Sequence, residues 1–284
     1  MGVGKTGPQM KLPCMSSLAV PFLAAALVAV SPVGSAQAPG RASCSQANTA
    51  TPPQSNQSQA AKSSDIPIGL FDGQSDIGSP KVPGEARYDE ATGNYTINSG
   101  GYNTVYTRDQ FRYLWKKASG DISLTADISF PNPNGYDGRK AVLVIRQGLD
   151  DDSREAVAAV YGNGVFRLGQ RPENGGRRTD MEYRVWSREA PAVPPARNVS
   201  VVLMPKRIGI EKYGDTVMLL VSMQGEPLHI FGPPLILHMN GPFYVGIGFC
   251  SNLKDKSDVA VFSHVVLEKP QPAATHRAAA APTP

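Results

Sequence analysis

Cysteine is scarce, with 3 in 284 residues, so the chain is not a scaffold stapled by disulfides. Aromatic residues are few at 7%, and charged residues make up only 18%. The net charge of +4 falls to about +2 once Lys5 and Lys11 leave with the export signal described below, too little for an electrostatic grip on nucleic acid. Nucleic acid is therefore not an expected partner. No apolar run reaches the roughly 20 residues of a membrane-spanning helix, so the mature chain is not expected to be an integral membrane protein. The body also lacks any sustained apolar stripe of helical period with capping residues. Gly4-Lys5-Thr6 ends like a phosphate-binding loop, but the upstream glycine and preceding strand of that motif are missing.

What is present in excess is Gly (28) and Pro (25), which together exceed the usual share of about 12%. This composition calls for many turns and unstructured tails. Residues 1–36 have the layout of an export signal: Lys5 and Lys11, an uncharged apolar run at 18–30, then Gly34-Ser35-Ala36. Residues 37–65 are rich in Gln, Ser, Ala, Pro and Asn and cannot bury enough surface to offset their ordering entropy, so they read as a disordered linker. Residues 270–284 form a similar Pro/Ala tail. The chain is thus expected to be exported, to the periplasm or beyond, with one folded domain at 66–269. Cys14 lies in the signal, leaving Cys44 and Cys250 either as a bridge or as two isolated thiols.

Within the body, apolar residues alternate with polar ones at period two. Ile122, Leu124, Ala126, Ile128 and Phe130 share one face of a strand whose other face carries Asp121, Ser123, Thr125, Asp127 and Ser129. Further strands are expected at 206–212, 217–223, 243–249 and 259–267, and the unbroken apolar run 141–145 suits a central strand. Phe111, Tyr113 and Trp115 leave one face of another strand, and that face is expected to be core. Turn signals separate these runs, among them Asn132-Pro133-Asn134-Gly135, Gly162-Asn163-Gly164 and Asn240-Gly241-Pro242. Many antiparallel strands in about 200 residues predict an all-β jelly-roll sandwich. Gly246 and Gly248 stand two apart on one strand face, which marks either a ligand groove or the close packing of a neighbouring side chain.

The order of these elements carries a family resemblance. Tyr88-Asp89-Glu90-Ala91-Thr92-Gly93-Asn94-Tyr95 is followed by Gly100-Gly101, Ser119-Gly120-Asp121-Ile122 and Lys140 to Arg146. Phe243-Tyr244-Val245-Gly246-Ile247-Gly248 and Ala260-Val261-Phe262-Ser263-His264-Val265 complete the series. Over about 66–268 this resembles the concanavalin A-like jelly-roll domains of bacterial exported proteins, some of which precede a TolB-like β-propeller. The resemblance implies a fold through strand and turn residues and carries no catalytic set. No propeller repeat follows residue 269, so Tol-type roles are not implied.

No catalytic constellation is legible. The Glu-x-Asp-x-x-Glu strand of jelly-roll glucanases has no counterpart: Asp180-Met181-Glu182 lacks the second Glu and reads as a charged edge strand. Asp150-Asp151-Asp152 reads as a solvated acidic turn beside Arg154, a carboxylate partner, with a structural Ca²⁺ site as the alternative. His229, His238, His264 and His276 share no metal-ligand spacing, and no metal or other cofactor is expected. Between 165 and 200, Arg167, Arg171, Arg177, Arg178, Arg184, Arg188 and Arg197 outnumber Glu173, Asp180, Glu182 and Glu189, with Tyr161, Phe166, Tyr183 and Trp186 interleaved. Such a mixture holds glycans or acidic groups by bidentate bonds and stacking, or else belongs to charged hairpins.

The expected function is therefore a non-catalytic module binding a saccharide or cell-envelope polymer. Its site residues would be Arg146, Arg167, Tyr161, Trp186, Gly246 and Gly248. A structural or protein-interaction domain, or a glycoside hydrolase-like enzyme, are the alternatives.

Overall fold

The computed structural model describes residues 65–187 and 202–270. Expectations for the export signal, nearly all of the linker, the tail, Cys14, Cys44, His276, Arg188, Glu189 and Arg197 fall outside those residues. Among the described residues there is no helix, and eighteen strands are numbered here in chain order. Two large antiparallel sheets form a β-sandwich of jelly-roll type, with the chain passing repeatedly from one sheet to the other.

The front sheet runs in the order β1 (Gly73–Ile77), β5 (Arg108–Ala118), β17 (Phe243–Cys250), β7 (Lys140–Arg146), β8 (Glu155–Tyr161), β9 (Phe166–Arg171) and β10 (Thr179–Tyr183). A short strand, β4 (Asn103–Val105), pairs with the beginning of β5. The back sheet begins with β15 (His229–Ile230), β14 (Thr216–Ser222) and β13 (Arg207–Tyr213). It continues through β6 (Ile122–Ser129), β18 (Asp258–Glu268), β3 (Asn94–Ser99) and β2 (Glu85–Asp89), and β16 (Leu235–Ile236) also pairs with β14. A separate ribbon joins β11 (Val185–Trp186) to β12 (Val202–Leu203).

The alternation read in the sequence sets the core. Leu124, Ala126 and Ile128 of β6 point inward with Ile208 and Ile210 of β13, Leu219 of β14 and Phe262 of β18. They meet Leu114, Leu143, Ala158, Leu168 and Ile247 of the front sheet. Each fully buried side chain of this size contributes about 1.5–3 kcal/mol.

The front sheet is buried on its other face as well. There Phe111, Tyr113, Trp115, Val142, Val144 and Val157 form a second apolar cluster. This is why the run 141–145 is apolar throughout: β7 is the fourth of seven strands, and all its residues are buried. The face assigned to Phe111, Tyr113 and Trp115 is indeed interior, with Trp115 only 4% exposed.

The glycines of β17 have their explanation here. A Cβ on Gly246 would collide with the Leu114 carbonyl oxygen, and one on Gly248 would stand 2.6 Å from the Phe111 ring. Tyr113, on β5, donates its hydroxyl to the Val144 carbonyl on β7 at 3.2 Å, so its ring spans the intervening β17. The Leu114 carbonyl at Gly246, the Phe111 ring at Gly248 and the Tyr113 side chain reaching across β17 fill the space a groove would need.

Candidate functional site

Charged residues interrupt this second apolar face at one end of the front sheet. Arg146, Glu155 and Arg171 are cross-strand partners on β7, β8 and β9, so their side chains leave the same face. The hairpin of β4 and early β5 is tied across that face. The Asp109 amide donates to the Asp151 carbonyl at 2.8 Å, the Arg178 amide donates to the Tyr106 carbonyl at 2.8 Å, and Lys140 donates to Asn103. The hairpin thereby brings Asp109 to the arginines. Both Nη atoms of Arg171 donate to Asp109, each at 2.8 Å, and Arg146 Nη2 lies 3.4 Å from the same carboxylate. Arg171 also donates to the Ser153 carbonyl and Arg146 to that of Asp150. Glu155 lies within 3.4–3.9 Å of Arg146, Arg171 and Arg178.

Arg146, Arg171, Asp109 and Glu155 are all 0% exposed. Arg146 is therefore not a ligand-facing group but a member of a roofed ion cluster. Burial, reinforced by the Asp109 charge, pushes Glu155 up to about 7 against the pull of the three guanidiniums. Burial lowers Lys140 to about 8 and raises the thiol of Cys250.

The Glu155 shift has a testable sign. A group whose folded pKa is raised stabilises the fold fully below its unfolded pKa, and that contribution is lost as pH rises through the folded value. Glu155 thus makes the protein less stable between about pH 4.5 and pH 7. Urea unfolding of wild type and Glu155→Gln across this window is expected to show wild-type stability falling more steeply with pH than that of the variant. Parallel curves would contradict the shift.

At the opposite end of the same face the charges reach solvent. Residues 181–187 alternate strictly: Met181, Tyr183 and Val185 pack against the core, while Glu182, Arg184 and Trp186 point outward. Glu182 lies opposite Arg167 in the β9–β10 register and pairs with it. It also accepts from Arg184 at 2.8 Å. The Arg167 guanidinium lies 4.7 Å from the Tyr161 ring centroid and the Lys140 ammonium 5.2 Å from it. Tyr161, 8% exposed and engaged by two cations, is a support for Arg167 rather than a stacking surface. Trp186, by contrast, is 51% exposed.

The structure therefore brings Arg167 and Tyr161 together, and places Trp186 along the outward register that begins at Glu182. Arg146, Gly246 and Gly248 belong to the roofed face. Asp109, Glu155, Lys140 and Glu182 were not singled out as site residues. The available signal was a charge at the end of an all-apolar strand, as in Lys140 and Arg146 bounding β7 or Glu155 opening β8.

Several smaller expectations resolve here. Asp180-Met181-Glu182 is an edge strand, β10. Arg154 does not partner a carboxylate; its guanidinium donates to the His238 carbonyl at 2.9 Å, and Asp151 pairs with Arg108 instead. His238 contacts Asp215 and His264 contacts Asp127, both at the surface. Among the described residues no three His, Cys, Asp or Glu side chains are grouped to hold a metal ion, and no helix is long and apolar enough to cross a membrane. Two surface hollows lie elsewhere. One, of about 420 Å³, adjoins Phe71, Asp72 and Lys116; the other, of about 250 Å³, adjoins Thr125, Arg207 and Glu268 on the outer face of the back sheet.

No family model matches the chain, and no curated protein matches it. Solved structures align with it at low similarity. A functionally unknown protein from Saccharomyces cerevisiae aligns at 14% identity and a TM-score of 0.46, over 69% of this chain and 96% of that one. The carbohydrate binding module CBM66 from Bacillus subtilis aligns at 16% identity and 0.43, over 72% and 100%. The alginate lyase from Klebsiella pneumoniae aligns at 13% identity and 0.42, over 65% and 84%. Likenesses at this level identify no site.

Proposed function

We propose that this chain is an exported, non-catalytic β-sandwich module that binds a saccharide or cell-envelope polymer along the outward ribbon of Glu182, Arg184 and Trp186. The observation that carries the reading is the exposed indole of Trp186 on the same outward alternation as Glu182 and Arg184, with Glu182 paired to both Arg167 and Arg184. An indole face covers the C–H side of a sugar ring, while planar guanidinium and carboxylate groups meet its hydroxyls in pairs. Tyr161 and Glu182 hold Arg167 in place, so little side-chain entropy is lost when a ligand arrives. The ribbon is an open surface strip, suited to an extended polymer rather than to an enclosed small molecule.

The test is a glycan array read with the full chain and with Trp186→Ala. Wild type is expected to bind saccharides, and the variant to bind the same ones at least about tenfold more weakly, which corresponds to 1.4 kcal/mol. Its melting temperature should be unchanged, because the ring lies outside the core. An array without a binder, or binding indifferent to Trp186, would overturn the reading.

A further inference from the structure

We infer that the loop apex of the sandwich is a second saccharide-binding site, formed by Tyr136, Tyr102 and Asn252. It shares the ligand class of the ribbon but none of its residues. Four connections gather at this end: 100–102 before β4, 130–139 before β7, 162–165 after β8 and 251–257 between β17 and β18.

Tyr136 and Tyr102 expose 49% and 41% of their surfaces, which leaves part of each ring open to a ligand. Each ring has one supported side. A Cβ on Gly138 would run into Tyr136 Cε1 and would stand 2.8 Å from Asn252 Nδ2, so the Tyr136 ring rests on Gly138 beside the Asn252 amide. The Lys254 ammonium lies 4.9 Å from the centroid of Tyr102. The Asn252 backbone amide donates to the Gly101 carbonyl at 3.0 Å, which sets this residue next to Tyr102. Asn252 therefore stands between the two rings. It holds a left-handed φ of 62°, and its Oδ1 is buried without a hydrogen-bond partner among the described residues. That oxygen is closed to solvent, so the amide meets a ligand through Nδ2, which donates to a sugar hydroxyl.

The apex is built before any ligand arrives. Arg139 pairs with Asp258 at 2.9 Å and donates to the Asn132 carbonyl, while Asn132 Nδ2 donates to Asp258. Ser251 Oγ donates to the Lys256 carbonyl at 2.6 Å and accepts from the Leu253 amide. The Gly162 and Asn163 amides donate to the carbonyls of Arg139 and Asp137. Rings on loops fixed in this way offer stacking area at small entropic cost. The exposed charges, Lys254 and Lys256 against Asp137 and Asp255, balance. Stacking rings, an amide and no net charge select a neutral sugar over an acidic one.

The experiment uses the full chain carrying Trp186→Ala, so that the ribbon is disabled, on an array of neutral and acidic oligosaccharides. A weaker binding to neutral sugars, at least about tenfold below wild type, is expected to remain. Adding Tyr136→Ala should weaken it at least tenfold with the melting temperature unchanged, whereas Tyr136→Phe, which keeps the ring, should retain it. Absence of any binding that depends on Tyr136, or binding confined to acidic sugars, would overturn the inference. Failure of the ribbon reading looks different: it appears as wild type and Trp186→Ala behaving alike.

Discussion

Replacing Asp109 by Ala is expected to lower the unfolding free energy by about 3–5 kcal/mol, the cost of leaving a buried charge without its partner. Asp109 is the carboxylate that both Nη groups of Arg171 address, with Arg146 at its side. All three are fully buried, so water cannot take its place without opening the hairpin that carries it. The hairpin turns only Thr104 and Asp109 inward as fully buried side chains, both polar. Loss of Asp109 therefore also removes the hairpin's side-chain link to Arg146 and Arg171, while its backbone ties to Asp151 and Arg178 remain. The nearby pair Arg108–Asp151, with Arg108 70% exposed, provides the control. Asp151→Ala should cost less than about 1 kcal/mol, as exposed ion pairs do. Equal losses in urea unfolding of the two variants would mean that the cluster is solvated and the roof open.

Trp115→Ala is expected to cost about 3–5 kcal/mol, by removal of a large side chain from a packed face. The indole is 4% exposed, donates through Nε1 to Ser75 Oγ at 3.0 Å, and meets Tyr244 edge-on at 5.3 Å. Trp115→Phe should fall between wild type and the Ala variant, because it keeps part of the volume and loses the hydrogen bond. A Trp115→Ala protein as stable as wild type would mean that the second face of the front sheet is not packed.

The sandwich was legible because several of its long strands obey period two. β6, β13, β14 and β17 each carry apolar residues at alternate positions, and one face of each meets the core. β8 was not legible. Its sequence Glu-Ala-Val-Ala-Ala-Val-Tyr is buried on both faces, so it shows no alternation, and its three alanines favour helix locally. Tertiary pairing with β7 and β9 overrides that preference. The site was partly legible. Arg167 and Trp186 stand out as an arginine–aromatic mixture, and their outward direction follows from alternation along 181–187. The ion cluster was hidden because Asp109, Arg146, Glu155 and Arg171 come from four strands with no fixed spacing, brought together only by register. Gly246 and Gly248 gave a true signal of close approach, and the approaching groups are the β5 backbone at Leu114 and the Phe111 ring.

The central claim is that a saccharide meets the open rim of the front sheet and not its roofed interior. The most direct measurement is an amide NMR titration of the full chain with the strongest oligosaccharide from the array. Chemical-shift changes are expected at Arg167 and along 182–187, and, for a neutral sugar that also engages the apex, at Tyr136, Gly138 and Asn252. Changes centred on Val142, Val144, Gly246 and Gly248, with residues 182–187 silent, would place the ligand under the roof and contradict the account.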